Sequence, residues 1–163
     1  MKSENLIWRI DDRLIHGQVI IGWCGQLPIT RLIVIDEQIA NNNWEKELLL
    51  MAAPPNIPAE ILTVEEFAER ITSWISKKEM ILVLLKSPEL IQELKDTGID
   101  VKKVNVGGMH FRDDRRELLS YLYLSSDEIK LFEQLMEQGI YFECQDLPTS
   151  TAYDLRKIIQ RKK

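Results

Sequence analysis

Short apolar segments alternate with amphipathic helical patterns along the whole chain of 163 residues. Seven segments rich in β-branched and other apolar residues predict strands, and they cover residues 6–10, 32–35, 60–62, 81–85, 101–106, 118–123 and 140–144. The segments 32–35 and 81–85 are almost uninterrupted apolar runs, which is typical of parallel strands that are covered on both faces. The pattern therefore predicts a buried, mainly parallel sheet.

Helical patterns lie between and after these strands. Two of them begin with capping boxes, formed by Thr63 with Glu66 and by Ser125 with Glu128, in which side chains satisfy the free amides of the first turn. Ser87-Pro88 predicts a third helix start, with the serine as N-cap and the proline in the first turn. The remaining helical patterns cover residues 16–27, 44–53 and 149–160. Three tryptophans fall on apolar helix positions and are predicted to pack in the core: Trp23, Trp44 and Trp74.

The alternation of strands and helices predicts an α/β fold. We expect an open, mainly parallel central sheet of about seven strands with helices on both faces. The chain has no low-complexity stretch, linker or internal repeat, and its length suits a single domain spanning residues 1–163.

Composition narrows the classes of function. A hydrophobic content of 45% and a charged content of 29% are ordinary for a soluble globular protein. No apolar run reaches the roughly 18 residues that span a bilayer, and residues 1–5 do not resemble a secretory signal, so we expect a cytoplasmic protein. The net charge of −5 argues against a general nucleic-acid binder.

The cysteines and histidines do not predict a disulfide or a metal site. Cys24 and Cys144 lie far apart and are expected to be free thiols in a reducing compartment. Together with His16 and His110 they form no pair at the spacing of zinc ligands. We therefore expect no metal and no other cofactor.

The turn after the first strand carries the strongest candidate chemistry. Ligands of open α/β sheets bind beyond the carboxyl ends of the strands, and here Asp11, Asp12 and Arg13 precede His16 at such an end. The imidazole of His16 suits a metal ligand, a general base, a covalent phosphate carrier or a structural residue. Its neighbours favour anionic chemistry, because the planar fork of Arg13 can hold a phosphate. Either Asp11 or Asp12 could orient the imidazole, or simply pair with Arg13 or cap the turn.

Other groups predicted near this turn could also hold a phosphate. The backbone amides of Gly17 and Gln18 begin the next helix, where the helix dipole favours an anion. Gly107-Gly108 follows the fifth predicted strand and forms either an anion-binding nest or an ordinary tight turn. His110 is either a second functional imidazole or a surface histidine.

The segment Arg-Ile-Asp-Asp-Arg-Leu-Ile-His-Gly-Gln-Val at residues 9–19 resembles the active-site segment of a known family. This family comprises the enzyme IIB components of the mannose/fructose/sorbose class of the bacterial sugar phosphotransferase system. Further similar segments follow in the family's order at residues 33–37, 52–55, 61–66, 86–88, 105–109, 123–128 and 147–148. The resemblance covers about residues 5–148, which leaves residues 149–163 as a C-terminal helical extension. Asp36-Glu37 departs mildly from the family, which usually has two aspartates there.

The resemblance implies a function for His16. It implies that His16 accepts a phosphoryl group from a phosphohistidine on a IIA protein and passes it to a sugar bound by the membrane IIC/IID complex. It further implies a cytoplasmic protein held at the inner membrane face through IIC/IID, and a sheet with one antiparallel strand late in the chain. The identity of the sugar and a homo-oligomeric state are left open.

Two other hypotheses compete with the phosphocarrier function. The first is a IIB-like regulatory module that binds a partner without phosphorylating sugar. The second is a nucleotide- or phosphometabolite-binding domain in which His16 is a general base. A P-loop and a G-x-G-x-x-G motif after a strand are both missing from the sequence, which disfavours the second reading.

Overall fold

The fold is known from a computed structural model, which describes residues 3–162. Met1, Lys2 and Lys163, and with them the very ends of the predicted domain and part of the segment compared with a secretory signal, lie outside the described residues. The strands are β1 (Leu6–Ile10), β2 (Arg31–Ile35), β3 (Ala59–Leu62), β4 (Ile81–Leu85), β5 (Lys103–Val106), β6 (Arg116–Leu119), β7 (Leu122–Leu124), β8 (Tyr141–Cys144) and β9 (Tyr153–Asp154). The helices are α1 (Glu37–Ala40), α2 (Asn43–Leu50), α3 (Val64–Ser76), α4 (Glu89–Asp96), α5 (Ser126–Glu137) and α6 (Leu155–Arg161), with a 3₁₀ turn at Ser3–Asn5 and a π-helical segment at Val19–Cys24.

Seven strands form one open sheet in the order β3-β2-β4-β1-β5-β8-β9. Every neighbouring pair is parallel except β8 and β9, which run antiparallel. The predicted α/β class is confirmed, including the single antiparallel strand late in the chain. Strand β1 lies between β4 and β5, with Trp8 opposite both Val83 and Val104. The residues that follow β1 therefore leave the sheet near its middle, at the edge where parallel strands place ligands.

The two faces of the sheet bury two separate apolar clusters. Along β4, Ile81, Val83 and Leu85 point to one face and Leu82 and Leu84 to the other, and all five are fully buried. The first cluster packs under α3, α4, α5 and α6, and the second under the π-helical segment, α1 and α2. This packing explains why β4 reads as a continuous apolar run, and it confirms the prediction of helices on both faces.

Both predicted capping boxes are present. The side chains of Thr63 and Ser125 each accept a hydrogen bond from the backbone amide three residues on. The carboxylates of Glu66 and Glu128 in turn accept from the backbone amides of Thr63 and Ser125. The start predicted at Ser87 is displaced by one residue, because Pro88 is the N-cap of α4 and makes no side-chain cap.

The predicted strand at 118–123 was wrong. The apolar run is broken by a turn at Ser120-Tyr121, and its two halves form the separate antiparallel hairpin β6–β7. The seventh strand of the sheet is instead β9, which occupies part of the helix predicted at 149–160. That helix begins only at Leu155, where Asp154 is the N-cap and its side chain accepts the amide of Arg156.

Two helical predictions also need correction. The pattern at 16–27 contains the wider π-helical turns of residues 19–24 rather than a regular α-helix. The prediction that Trp44 packs in the core was wrong, since its side chain is 71% exposed and α2 has no buried residue. Trp23 and Trp74, in contrast, are buried as predicted.

Candidate active site

The turn after β1 is fixed by the ends of the two neighbouring strands. The amide of Asp11 donates to the carbonyl of Leu85 at 2.9 Å, and the amide of Asp12 donates to the carbonyl of Gly108 at 2.8 Å. Leu14 then takes a left-handed conformation, with φ of 57°, while its side chain is buried in the second apolar cluster. For a residue other than glycine this conformation is unfavourable, so the burial of Leu14 has to hold the turn in place.

Asp11 is the centre of the site. Its side chain is 0% exposed, and its oxygens lie 3.1 Å from His16 Nε2, 3.1 Å from the amide of Arg13, 3.3 Å from Arg13 Nε and 3.4 Å from Arg9 Nη2. Burial alone would raise the pKa of Asp11, but the hydrogen bonds from His16 and Arg13 and the charge of Arg9 outweigh it. The pKa is therefore held far below its ordinary value, and Asp11 is an ionised acceptor at neutral pH.

The ionised carboxylate determines which nitrogen of His16 is free to react. A carboxylate only accepts hydrogen bonds, so Nε2 of His16 carries the proton that it donates to Asp11. The neutral imidazole then has its lone pair on Nδ1, which has no hydrogen-bond partner among residues 3–162. The sequence left both Asp11 and Asp12 open as the orienting group, and the structure places only Asp11 against His16.

Arg13 and Gln18 lie beside this imidazole. The Arg13 side chain is partly exposed, and its Nη2 donates to Gln18 Oε1 at 2.8 Å as well as approaching Asp11. The sequence predicted a role for the backbone amide of Gln18. The structure adds a role for its side chain, which holds Arg13. Gly17 opens the helical segment directly after His16, and apart from its chain neighbours and the backbone of its own helix no atom lies within 4 Å of where a methyl group on it would be.

Gly107 and Gly108 matter because other groups approach them closely. A methyl group on Gly107 would lie 2.1 Å from Arg9 Nη2, and the amide of Gly107 already donates to the carbonyl of Ile10. Neither glycine has a positive φ. The anion-binding nest suggested for this pair therefore does not fit Gly107, which makes room for Arg9 instead of offering an amide.

Arg9 is a site residue that sequence reasoning missed. It is fully buried, stacks 4.4 Å from the ring centroid of Trp23, and donates to Asn105 Oδ1 and to the carbonyls of Gln145 and Asp146. Burial lowers the pKa of its guanidinium to about 10, against the opposing influence of Asp11, so it remains charged at neutral pH. The available signal was a lone arginine in an otherwise apolar strand, two positions before an aspartate.

Asp12 points away from His16 and holds the second histidine. Its Oδ2 accepts from the backbone amide of His110 at 2.8 Å, and its Oδ1 lies 2.5 Å from His110 Nδ1. Arg115 Nη1 is 3.5 Å from Asp12, and Arg115 Nη2 is 2.6 Å from Glu128. These groups line an open cleft of about 590 Å³, which Lys86 also borders.

The arrangement at His16 suits a nucleophile for an anionic group. An imidazole oriented by Asp11 presents Nδ1, an arginine lies next to it, and helical amides begin directly after it. Within residues 3–162, the histidines, cysteines and carboxylates form no group of three that could hold a metal ion. Over the same range no helix has the length and apolar character needed to cross a membrane.

Comparison with known proteins identifies the family of this chain. The family model of the sorbose-subfamily IIB components of the phosphotransferase system (PTS) matches residues 5–163, which include the C-terminal segment 149–163. The fructose-specific EIIB component of Bacillus subtilis (strain 168) is 34% identical over 152 residues, covering 93% of each chain. The mannose-specific EIIAB component of Escherichia coli (strain K12) is 29% identical over 153 residues, which are 94% of this chain and 47% of that protein.

Solved structures show the same architecture. A protein of a phosphoenolpyruvate-dependent phosphotransferase system superposes with a TM-score of 0.88 at 32% identity, over 98% of this chain and 99% of that one. The IIB domain of the sorbose permease from Klebsiella pneumoniae has the same fold, with a TM-score of 0.87 over 97% of this chain and 98% of that one, at 24% identity. The likeness extends from the site segment over nearly the whole chain, and the chain therefore belongs to the sorbose-subfamily IIB components of the PTS.

Proposed function

We propose that this protein is a phosphocarrier that accepts a phosphoryl group on Nδ1 of His16 and passes it to a sugar. The donor is a phosphohistidine on a IIA protein, and the sugar is held by a membrane IIC/IID complex at whose cytoplasmic face the carrier docks. The single observation that carries the proposal is the bond from His16 Nε2 to the buried, ionised Asp11, which leaves Nδ1 as the nucleophile.

The chemistry of loading follows from this geometry. The lone pair of Nδ1 forms a bond to phosphorus while the bond from phosphorus to the donor imidazole breaks. Positive charge develops on the His16 ring, and the Asp11 carboxylate 3.1 Å from Nε2 stabilises it. Phosphoryl transfer requires mainly positioning and neutralisation of the phosphoryl oxygens, and Arg13 with the amides of Gly17 and Gln18 supplies the neutralisation. Gly108 lies beside Arg13 and completes the proposed phosphate site.

The names of the relatives support a IIA partner and a sugar acceptor. The Escherichia coli relative is an EIIAB component, in which a IIA part and a IIB part share one chain. Relatives are named for fructose, mannose, N-acetylgalactosamine and sorbose, so these four sugars form the panel to be tested.

The experiment follows the phosphate through both transfers. Purified protein is incubated with phosphoenolpyruvate, the general PTS proteins and a cognate IIA protein, and then with membranes that carry IIC/IID and each sugar of the panel. We expect acid-labile phosphate on wild-type protein, none on His16→Gln, and its chase into sugar phosphate. NMR of protein labelled with ¹⁵N-histidine then identifies the phosphorylated nitrogen as Nδ1.

Two results would contradict the proposal. Wild-type protein that stays unlabelled with several IIA proteins is not a phosphocarrier, and label that persists in His16→Gln lies on another residue. The variant Lys157→Gln, on the exposed face of α6, is the matched surface control and should load like wild type.

A further inference from the structure

The pair formed by Asp12 and His110 is not used in the loading step proposed for His16, yet several hydrogen bonds hold it in place. Its histidine is held from two sides, because Asp12 binds both the backbone amide and Nδ1 of His110, while Arg115 Nη1 donates to the His110 carbonyl at 2.8 Å. Arg115 is itself anchored by Glu128, the glutamate of the α5 capping box.

The contact with Asp12 fixes the tautomer of His110. Nδ1 donates to the carboxylate, so the lone pair of the neutral ring lies on Nε2. Within the described residues 3–162 no group forms a hydrogen bond with this nitrogen. The His110 side chain is 49% exposed, so Nε2 belongs to a ring that solvent and a docked molecule can reach. A carboxylate on Nδ1 and a free Nε2 are the arrangement of the general-base histidine in serine proteases.

The pair also lies next to the phosphate site. A methyl group on Gly108 would lie 3.0 Å from His110 Cε1, 3.1 Å from Asp11 Oδ1 and 3.2 Å from Arg13 Nη2. The His110 ring is thus packed around the same point as the carboxylate that orients His16 and the arginine proposed to hold the phosphate. The His110 ring also lines the cleft of about 590 Å³, whose volume is in the range of small-ligand sites.

We infer that the Asp12–His110 pair is the general base for the second transfer, in which a hydroxyl-bearing acceptor takes the phosphoryl group from His16. This inference rests on the proposed function. The acceptor oxygen forms a bond to phosphorus as the bond between phosphorus and Nδ1 of His16 breaks, and the electron pair of that bond returns to Nδ1. The hydroxyl proton moves to Nε2 of His110, and the half-exposed ring then releases it to solvent. Asp12 stabilises the protonated ring.

Charged groups from several segments surround His110, and they form the electrostatic environment in which the proton is transferred. Asp12 and Arg13 face it from the turn after β1, and Arg115 and Arg112 from its own loop. Lys86 and Glu89 from the β4–α4 connection, and Asp127 and Glu128 from α5, line the same cleft.

The test separates the two transfers in the full-length protein. Loading of His16 by the IIA protein is measured first, and the chase from phosphorylated protein into the panel sugar that gives wild-type turnover is measured second, over a range of pH. In His110→Gln we expect loading at the wild-type rate and a chase slowed by about 10²- to 10⁴-fold, the usual contribution of a general base. The wild-type chase should accelerate as the pH rises, as expected for a general base, and His110→Gln should lack that acceleration.

Two further variants keep the result interpretable. Asp113→Asn changes an exposed carboxylate of the same loop that does not line the cleft, and it should chase like wild type. His110→Ala leaves space for a free ring, and added imidazole should partly restore its chase.

Each outcome decides one claim. Failure of wild type to load overturns the proposed function itself. Normal loading with a wild-type chase in His110→Gln overturns the general base, and so does an equal loss of loading and chase, which would place His110 in the His16 site.

Discussion

Two neighbouring aspartates of one turn each bind a histidine, but they bind opposite nitrogens of the imidazole ring. Asp11 binds Nε2 of His16, and the next residue, Asp12, binds Nδ1 of His110. His16 therefore presents Nδ1, close to its own backbone, while His110 presents Nε2, at the tip of the ring. A carboxylate chooses the reactive nitrogen of its histidine by binding the other one.

The two carboxylates also differ in their surroundings. Asp11 is fully buried between Arg9 and Arg13, whereas the side chain of Asp12 is 18% exposed at the edge of the cleft. Charge in the buried site has to be compensated by the protein, while charge at the cleft edge is partly compensated by water. The predicted consequences of changing the two sites differ accordingly.

The largest effect is expected from removal of the buried charge. Asp11→Asn leaves Arg9 buried without its carboxylate, and we expect it to lower the free energy of unfolding by about 3 kcal/mol, as for other broken buried ion pairs. It should also prevent loading of His16, because an amide no longer stabilises the charged ring. Urea denaturation and phosphate labelling measure the two effects.

Asp12→Asn is the control for that comparison. We expect it to cost about 1 kcal/mol, the scale of an ordinary hydrogen bond, and to leave loading intact. If Asp12→Asn destabilises the protein as much as Asp11→Asn, the distinction between a buried and a cleft-edge carboxylate is wrong.

A smaller loss of stability is expected when a methyl group is added beside Arg9. Gly107→Ala would place Cβ 2.1 Å from the guanidinium, which is buried and cannot move away freely. We expect a loss of about 2–3 kcal/mol in the free energy of unfolding, in the range for overpacked interiors. Gly17→Ala is the matched control, since open space surrounds that position and thermal unfolding should show no loss of stability.

The acid dependence of stability should also follow Asp11. Its pKa is lowered in the folded state, so the unfolded chain binds more protons once the pH falls below the ordinary aspartate value of about 4. The stability that Asp11 contributes is therefore complete at neutral pH and is lost progressively below about pH 4. Urea midpoints measured from neutral pH to pH 2.5 should fall less steeply in Asp11→Asn than in wild type. Parallel curves would show that Asp11 is not the group that titrates.

The smallest expected effect concerns Gln18. Gln18→Ala removes the 2.8 Å bond that holds Arg13, without touching His16 or its carboxylate. We expect the loading rate to fall about fivefold, which corresponds to the roughly 1 kcal/mol of one hydrogen bond, with little change in stability. Gln18→Glu keeps an acceptor for Arg13 but adds a negative charge beside the proposed phosphate site, so it should load more slowly than Gln18→Ala, and faster loading in Gln18→Glu would argue against a phosphate site at Arg13.

The parts of the fold that local patterns determine were predicted well. The apolar run of β4 and the capping boxes at Thr63 and Ser125 are recognisable within a few residues of sequence. The segment at 118–123 was predicted wrongly because an apolar run does not show where a turn interrupts it. The burial of Trp44 was predicted wrongly because apolar spacing does not show whether another element covers that face of the helix.

At the site, sequence reasoning identified the reactive residues but not their pairing. His16, Arg13 and both aspartates follow one another along the chain, yet the choice between Asp11 and Asp12 depends on contacts across the sheet. Asp12 turns to His110, which is 98 positions away, and Arg9 is held by carbonyls of Gln145 and Asp146. Such distant contacts leave no trace in a local pattern.

The left-handed turn at Leu14 has a consequence for folding. Because its conformation depends on a side chain inserted into the second apolar cluster, a synthetic peptide spanning the first strand and the loop has no reason to adopt it. The reactive loop should therefore acquire its shape only as that cluster assembles, and the hydrogen-bonded amides of the turn should lose their protection from solvent exchange when the cluster is disrupted. Nucleophile and core would then be lost together on denaturation, so that phosphate acceptance itself reports how much of the population is native.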